Sequence, residues 1–195
     1  AHDQTWDGFS FANGVVSSTG VFVIGGYIDT PALAEPVHHI TLRYINIYNM
    51  TGRSKTATDV ALDHAVYFTW SKGGAHHMLF EYWSVDDRNT GGLATAFVFY
   101  HSDPANGILN AHDITVNELT VRGTQEAIYL AESTLSNITF SNVVIKKPLR
   151  WAVIIARSGM TNILFQNCVS TGSGEVGFYT DSGLTGITQT NCSWN

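Results

Sequence analysis

The strongest constraint on this chain is internal repetition. A segment of the form I-x-h-x-x-h-x-h, where h is apolar, occurs as HITLRYINI (39–47), HMLFEYWSV (77–85), DITVNELTV (113–121), NITFSNVVI (137–145), NILFQNCVS (162–170) and GITQTNCSW (186–194). WDGFSF (6–11) is an earlier, partial copy. The lead apolar positions of the full copies, 40, 78, 114, 138, 163 and 187, are 38, 36, 24, 25 and 24 residues apart. A second segment recurs in phase with the first, as HAVYFTWS (64–71), TAFVFYHS (95–102), EAIYLAES (126–133), WAVIIARS (151–158) and EVGFYTDS (175–182).

Both segments are short, β-branched or aromatic, and alternate at period two, which is strand patterning. Strands that return every 24 or so residues with no helix between them can stack only on their own copies. The expected fold is all-β, a parallel β-helix (solenoid) of about seven coils. It covers 1–195 as one domain or as a piece of a longer solenoid. Equivalent residues then stand about 4.8 Å apart and form files. One file is Ser71, Ser102, Ser133, Ser158 and Ser182; another, at a corner, is Asn142, Asn167 and Asn191. Cys168 and Cys192 share an inward file and read as buried thiols, with a disulfide as the alternative.

Composition fits such stacking. Charged residues are only 13% of the chain, while Thr, Ser and Asn number 21, 15 and 13. Like charges one strand apart repel, whereas neutral amides and hydroxyls bond to one another. The net charge of −6 and the lack of clustered Lys and Arg exclude nucleic acid as the expected partner. No apolar run approaches the roughly 18 residues of a membrane span.

The NIxFxN corner followed by an A-h-Y-h-x-x-S strand resembles the right-handed parallel β-helix proteins of the pectin-lyase-like superfamily, over roughly residues 5 to 195. The resemblance implies a right-handed coil and a polysaccharide partner. Its members include polysaccharide lyases, glycoside hydrolases, tailspikes and adhesins. The expected function is therefore an extracellular, secreted or cell-surface, carbohydrate-active β-helix that binds a polysaccharide; whether it also cleaves it is left open, and if it does, lyase chemistry is favoured over hydrolysis. A non-catalytic structural or adhesive solenoid is the alternative, self-associating through an apolar outer face or its ends.

Long insertions on a solenoid form loops on one face. The two longest here, 49–63 and 87–94, are expected to wall a groove beside the outward file Tyr48, Asp86, Arg122, Lys146 and Thr171. Lyase chemistry on a uronate needs a base, for which Lys146, Arg122 and His64 are candidates. It also needs an acid or a cation ligand, for which Asp63, Asp86 and Asp87 are candidates, with Ca2+ as the possible ion. A hydrolase needs two carboxyls, and Asp86 or Asp87 with Glu126 are eligible. The same file also reads as a solvated charge ladder. Asp86-Asp87 is similar to the acidic pair of polygalacturonases, but the His-Gly and Arg-Ile-Lys motifs of that family are absent. Tyr48, Tyr67, Arg88, Tyr129 and Trp151 are candidates to touch sugar, and Tyr67, Tyr129 and Phe178 are expected in one outward file with Val98 and Ile154. His38, His76 and His112 form a further file, flanked by His39 and His77. It reads either as corner residues bonding local backbone or as a transition-metal site.

Overall fold

The computed structural model of the chain describes residues 2–14, 16, 20–24, 36–50, 63–69, 74–87, 93–100, 110–181 and 185–195. Every regular element among them is a β-strand. Arg88 and most of the two long loops lie outside the described residues, as do Ser71, Ser102 and Ser182.

The larger sheet stacks seven long arms in chain order: β1 (His2–Asp7), β4 (Val37–Arg43), β7 (Ala75–Asp86), β9 (Ala111–Arg122), β11 (Ser136–Ser141), β14 (Thr161–Gln166) and β17 (Ile187–Thr190). Short arms continue them as β2 (Ser10–Ala12), β5 (Asn46–Tyr48), β12 (Val144–Lys146), β15 (Val169–Thr171) and β18 (Ser193–Trp194). In β7 and β9 the two arms are one continuous strand. The second sheet stacks β3 (Gly20–Ile24), β6 (His64–Phe68), β8 (Thr95–Phe99), β10 (Glu126–Leu130), β13 (Trp151–Ile155) and β16 (Phe178–Thr180), again in order. Pairing is parallel throughout, and each strand lies on the preceding copy of itself. This is the order a parallel β-solenoid requires. Ile40, Met78, Ile114, Ile138, Ile163 and Ile187 pair in one register, and Gln4, just before the partial copy, pairs with Ile40.

Corners between arms use the left-handed backbone region. Gly8, Tyr44, Tyr82, Glu118, Asn142, Asn167 and Asn191 all have positive φ where the long arm meets the short one. Asp3, His39, His77, Asp113, Asn137, Asn162 and Gly186 do so near the start of the long arm. Asn suits these positions, because it tolerates the left-handed region and its amide can bond along the file. Asn142 donates to Asn117 Oδ1 at 2.8 Å, Asn167 to Asn142 at 3.3 Å, and Asn191 to Asn167 at 3.3 Å.

Inward files fill the core. Phe68 and Phe99 stack at 4.1 Å between centroids, and Phe140 and Phe165 at 5.0 Å. Trp83 is buried against Phe22, Phe80 and Phe97 while its indole donates to Leu42 O at 2.8 Å. Cys168 and Cys192 are free thiols, and burial pushes the Cys168 thiol up to about 12. One expected register slips. Val153 pairs with Phe178 and Ile154 with Tyr179, so Tyr179 rather than Phe178 follows Ile154 in the outward file. The slip sets Gly177 beside Ala65, Ala96, Ala127 and Ala152 in a file of small residues. A Cβ at Gly177 would stand 2.8 Å from Trp194, leaving no room for Val176 in that place.

Two outcomes test this packing. Phe99→Ala is expected to lower unfolding free energy by about 3–5 kcal/mol, measured by urea denaturation. Asn142→Ala, which keeps the strained φ and removes the ladder bond, is expected to cost about 1–2 kcal/mol in the same measurement.

Candidate functional site

The short arms present a narrow outer face. Along it Ala12, Tyr48, Asp86, Arg122, Lys146 and Thr171 stand in register, one residue per strand. Tyr48 and Lys146 are exposed and Asp86 and Arg122 half-buried, so the file alternates an aromatic, an anion and two cations. Arg122 Nε is buried without a hydrogen-bond acceptor. Two residues earlier on the same face runs a second outward file, Ser10, Asn46, Ser84, Thr120, Val144 and Val169. It is polar over the first four of these strands, apolar at Val144 and Val169, and polar again at Ser193. An open cleft of about 350 Å³ lies over the first polar portion, lined by Ser10, Asn46, Tyr48, Asn49, Ser84 and Asp86.

The far edge of this face carries two residues that the sequence reading passed over. Tyr44 and Tyr82 stack with centroids 4.7 Å apart and planes 3° from parallel, each about half exposed. Both hold φ near +55°, in the corner file that is Asn in later coils. A bulky residue with positive φ is uncommon, and stored backbone strain of this kind points towards function. The next position in the file is Gly8, where an added Cβ would meet nothing within 4 Å, so no side chain of that residue covers the outer ring face of Tyr44. The signal was legible as Tyr, Tyr, Glu, Asn, Asn, Asn at one place in the repeat.

Other expected site residues are placed differently. Asp63 and Asp87 have no exposure, and the Asp87 carboxylate accepts from Leu93 N at 2.5 Å. Asp87 thereby anchors the chain that returns towards β8. Glu126 is buried, accepts from Thr95 Oγ1 at 3.2 Å and lies 3.9 Å from Arg150. Asp87 and Glu126 are thus not two open carboxyls, and this geometry gives hydrolysis by that pair no support. His64 is buried and stacks on Tyr67 at 5.3 Å, so neither is open to a glycan. The expected apolar outer file is covered at its centre: Val98 is 1% and Tyr67 9% exposed. Tyr129 is half-buried, and burial pushes the phenols of Tyr67 and Tyr129 upward. Trp151 carries the Arg150 guanidinium 3.7 Å above its ring, and Arg150 bonds Glu175 at 3.0 Å, so its face is occupied.

The histidines form two parallel files. His2, His38, His76 and His112 stack at 5.4, 5.1 and 4.9 Å, within 12° of parallel. Beside them His39 and His77 stack at 4.9 Å. Bonds cross between files: His38 Nδ1 to His39 Nδ1 at 2.8 Å, His76 Nδ1 to His77 Nδ1 at 2.7 Å, and His112 Nδ1 to Asp113 Oδ2 at 2.8 Å. Two ligand nitrogens on one ion with bonds of about 2.0 Å are at most about 4.0 Å apart. His38, His76 and His112, set one strand apart in a single file, are therefore not one ligand set. Among the described residues the donor atoms that converge, within 4.8 Å of one another, belong to Asp3, His38 and His39. That set does not fit Ca2+, which takes six to eight oxygens.

No family model matches the chain, and no curated protein matches it. Its fold is similar to the crystal structure of a candidate glycosyl hydrolase from Parabacteroides merdae, with a TM-score of 0.53 and 10% sequence identity. The likeness covers 97% of this chain and 81% of that one. At this identity it is a likeness of fold.

The histidine files carry a pH dependence. Burial, then the neighbouring His112, His77, His38 and His39, lower the proton affinity of His76 below the usual 6.5. The unfolded chain then binds more protons, so stability present above that value is lost as pH falls below it. Asp113 is also held low, chiefly by His112 and Asn137, so it too loses stability on acidification, but around and below 3.8 rather than between pH 7 and 5. The thermal midpoint, measured with chelator present, is expected to fall between pH 7 and pH 5, and His76→Ser to flatten that fall. Ser is the residue that Ser136 supplies in this file.

Proposed function

We propose that this chain is an extracellular, carbohydrate-active, right-handed parallel β-helix of about seven coils that binds an acidic polysaccharide across its short-arm face. The observation that carries this reading is the exposed Tyr44–Tyr82 stack, two residues along each strand from the polar cleft file Asn46 and Ser84. Sugar rings offer CH groups to aromatic faces and hydroxyls to amides and carboxylates. The half-exposed rings of Tyr44 and Tyr82, with no side chain at Gly8 beyond them, would accept the first; Asn46, Ser84 and Asp86 would accept the second. Successive contacts repeat at the strand spacing of about 4.8 Å, comparable to one sugar ring.

Lyase chemistry is the extension of this reading, and the adjacency of Arg122 and Lys146 favours it. Arg122 would neutralise a uronate carboxylate, and Lys146 in its free-amine form, the more exposed of the two, would take the C5 proton as the C4–O bond breaks and water protonates the leaving oxygen. Asp86, one strand before Arg122, would orient the guanidinium. A non-catalytic adhesive solenoid would use the same face for binding alone.

A screen of acidic and neutral polysaccharides, scored for binding and for the ultraviolet absorbance of unsaturated products, separates these. Tyr82→Ala is expected to weaken binding by up to about tenfold. Lys146→Ala is expected to leave binding intact and to lower product formation by roughly 10² or more. Binding without product in the parent chain sinks the lyase reading and leaves the adhesive one. No binding to any glycan sinks both.

A further inference from the structure

We propose that the paired histidine files bind a divalent first-row transition metal of tetragonal preference, Cu2+ being the natural probe, through His38, His39 and the Asp3 carboxylate. His76 and His77 repeat the nitrogen pair one coil on.

Three observations carry this. The first is bite. Two ligands at about 2.0 Å on one ion stand about 2.8 Å apart at a right angle and about 3.3 Å apart in a tetrahedron. The Nδ1 atoms are 2.8 Å apart in His38–His39 and 2.7 Å in His76–His77. With the proton between them moved to an Nε2, small rotations of both rings turn the two Nδ1 lone pairs towards a shared ion. The first pair also has an acid in reach, Asp3, whose carboxylate lies within 4.8 Å of a nitrogen of each ring. The result is an N,N,O set of the kind imidazole and carboxylate offer to Cu2+ or Ni2+.

The second observation is redundancy. The fold does not need imidazole here. His39 and His77 hold left-handed corners that Asn137 and Asn162 fill in later coils, where Asn162 donates to Asn137 and Asn137 to Asp113. In the neighbouring file Ser136 and Thr161 stand where His38 and His76 stand. Asn and Ser build the same corner, so the histidines, six of the chain's eight in one ladder, answer to something besides the backbone. The third is access. His39 and His77 are exposed and their partners half-buried, so an ion enters from solvent without opening the core.

The test uses the tag-free chain titrated with Cu2+ and followed by calorimetry and electron paramagnetic resonance. An axial spectrum split by two imidazole nitrogens is expected, with up to two ions per chain. The double variant His39→Asn/His77→Asn keeps residues native to this corner, and its urea midpoint with chelator should match the parent. Its affinity should fall roughly tenfold or more, with nitrogen coupling reduced to one ring per ion. His38→Ser/His76→Ser removes the other nitrogen of each pair without touching a corner, and the same loss is expected. A parent spectrum without nitrogen coupling overturns the proposal, as does either folded double variant that binds Cu2+ with the parent's affinity.

Discussion

Parallel hydrogen bonding in strict register, one strand spacing per coil, is the constraint on which the rest of this molecule depends. It forces every side chain to meet its own equivalents above and below. A residue type is retained only if it can stack on itself, which phenylalanine, asparagine, alanine and isoleucine do. Hence the Phe68–Phe99 and Phe140–Phe165 stacks, the Asn142–Asn167–Asn191 ladder and the alanine file that ends at Gly177. Charge is scarce for the same reason, since about 4.8 Å between like charges is repulsive; the face that does carry charge sets Asp86 against Arg122, and Arg122 beside Lys146 is its one like-charged step.

The corners are where this constraint relaxes. A left-handed corner asks only for a side chain that tolerates positive φ, and its side chain points away from the core. Later coils meet that demand with asparagine. Early coils meet it with Tyr44, Tyr82, His39 and His77, residues that suit the backbone less well and carry more chemistry. The aromatic stack and the imidazole files thus occupy the same class of position in the first coils, at the two ends of the long arm. Local strain and chemical content coincide there, as expected where function is grafted onto a regular scaffold.

Strand files were legible in the sequence because the repeat is close to exact. All six lead positions, the short-arm file from Tyr48 to Thr171 and the neighbouring histidine positions hold their expected register. The last copy of the second segment failed, because aligning Glu175 with Trp151 ignored that only glycine fits beside Trp194. Burial also escaped. His64, Asp63, Asp87 and Tyr67 look like groove residues in a string of letters, yet they lie under cover. A period-two pattern separates inward from outward within a strand; it does not say which outward face is covered by another segment. Tyr44 and Tyr82 escaped for the opposite reason: they stand at unassigned positions of the repeat, and only the fold shows them half exposed at a left-handed corner.

The sequence by itself determined the stacking: which residues repeat, at what period, and therefore which share a file. That information is local and redundant, written once per coil, and hydrogen bonding between equivalent strands leaves it little choice. Only the tertiary structure decided what the files face. Whether Asp87 meets solvent or Leu93 N, whether His38 turns towards His76 or His39, and whether Trp151 offers its ring or lies beneath Arg150 depend on segments far apart in the chain. Those contacts are made once and never repeated, so no period in the sequence records them.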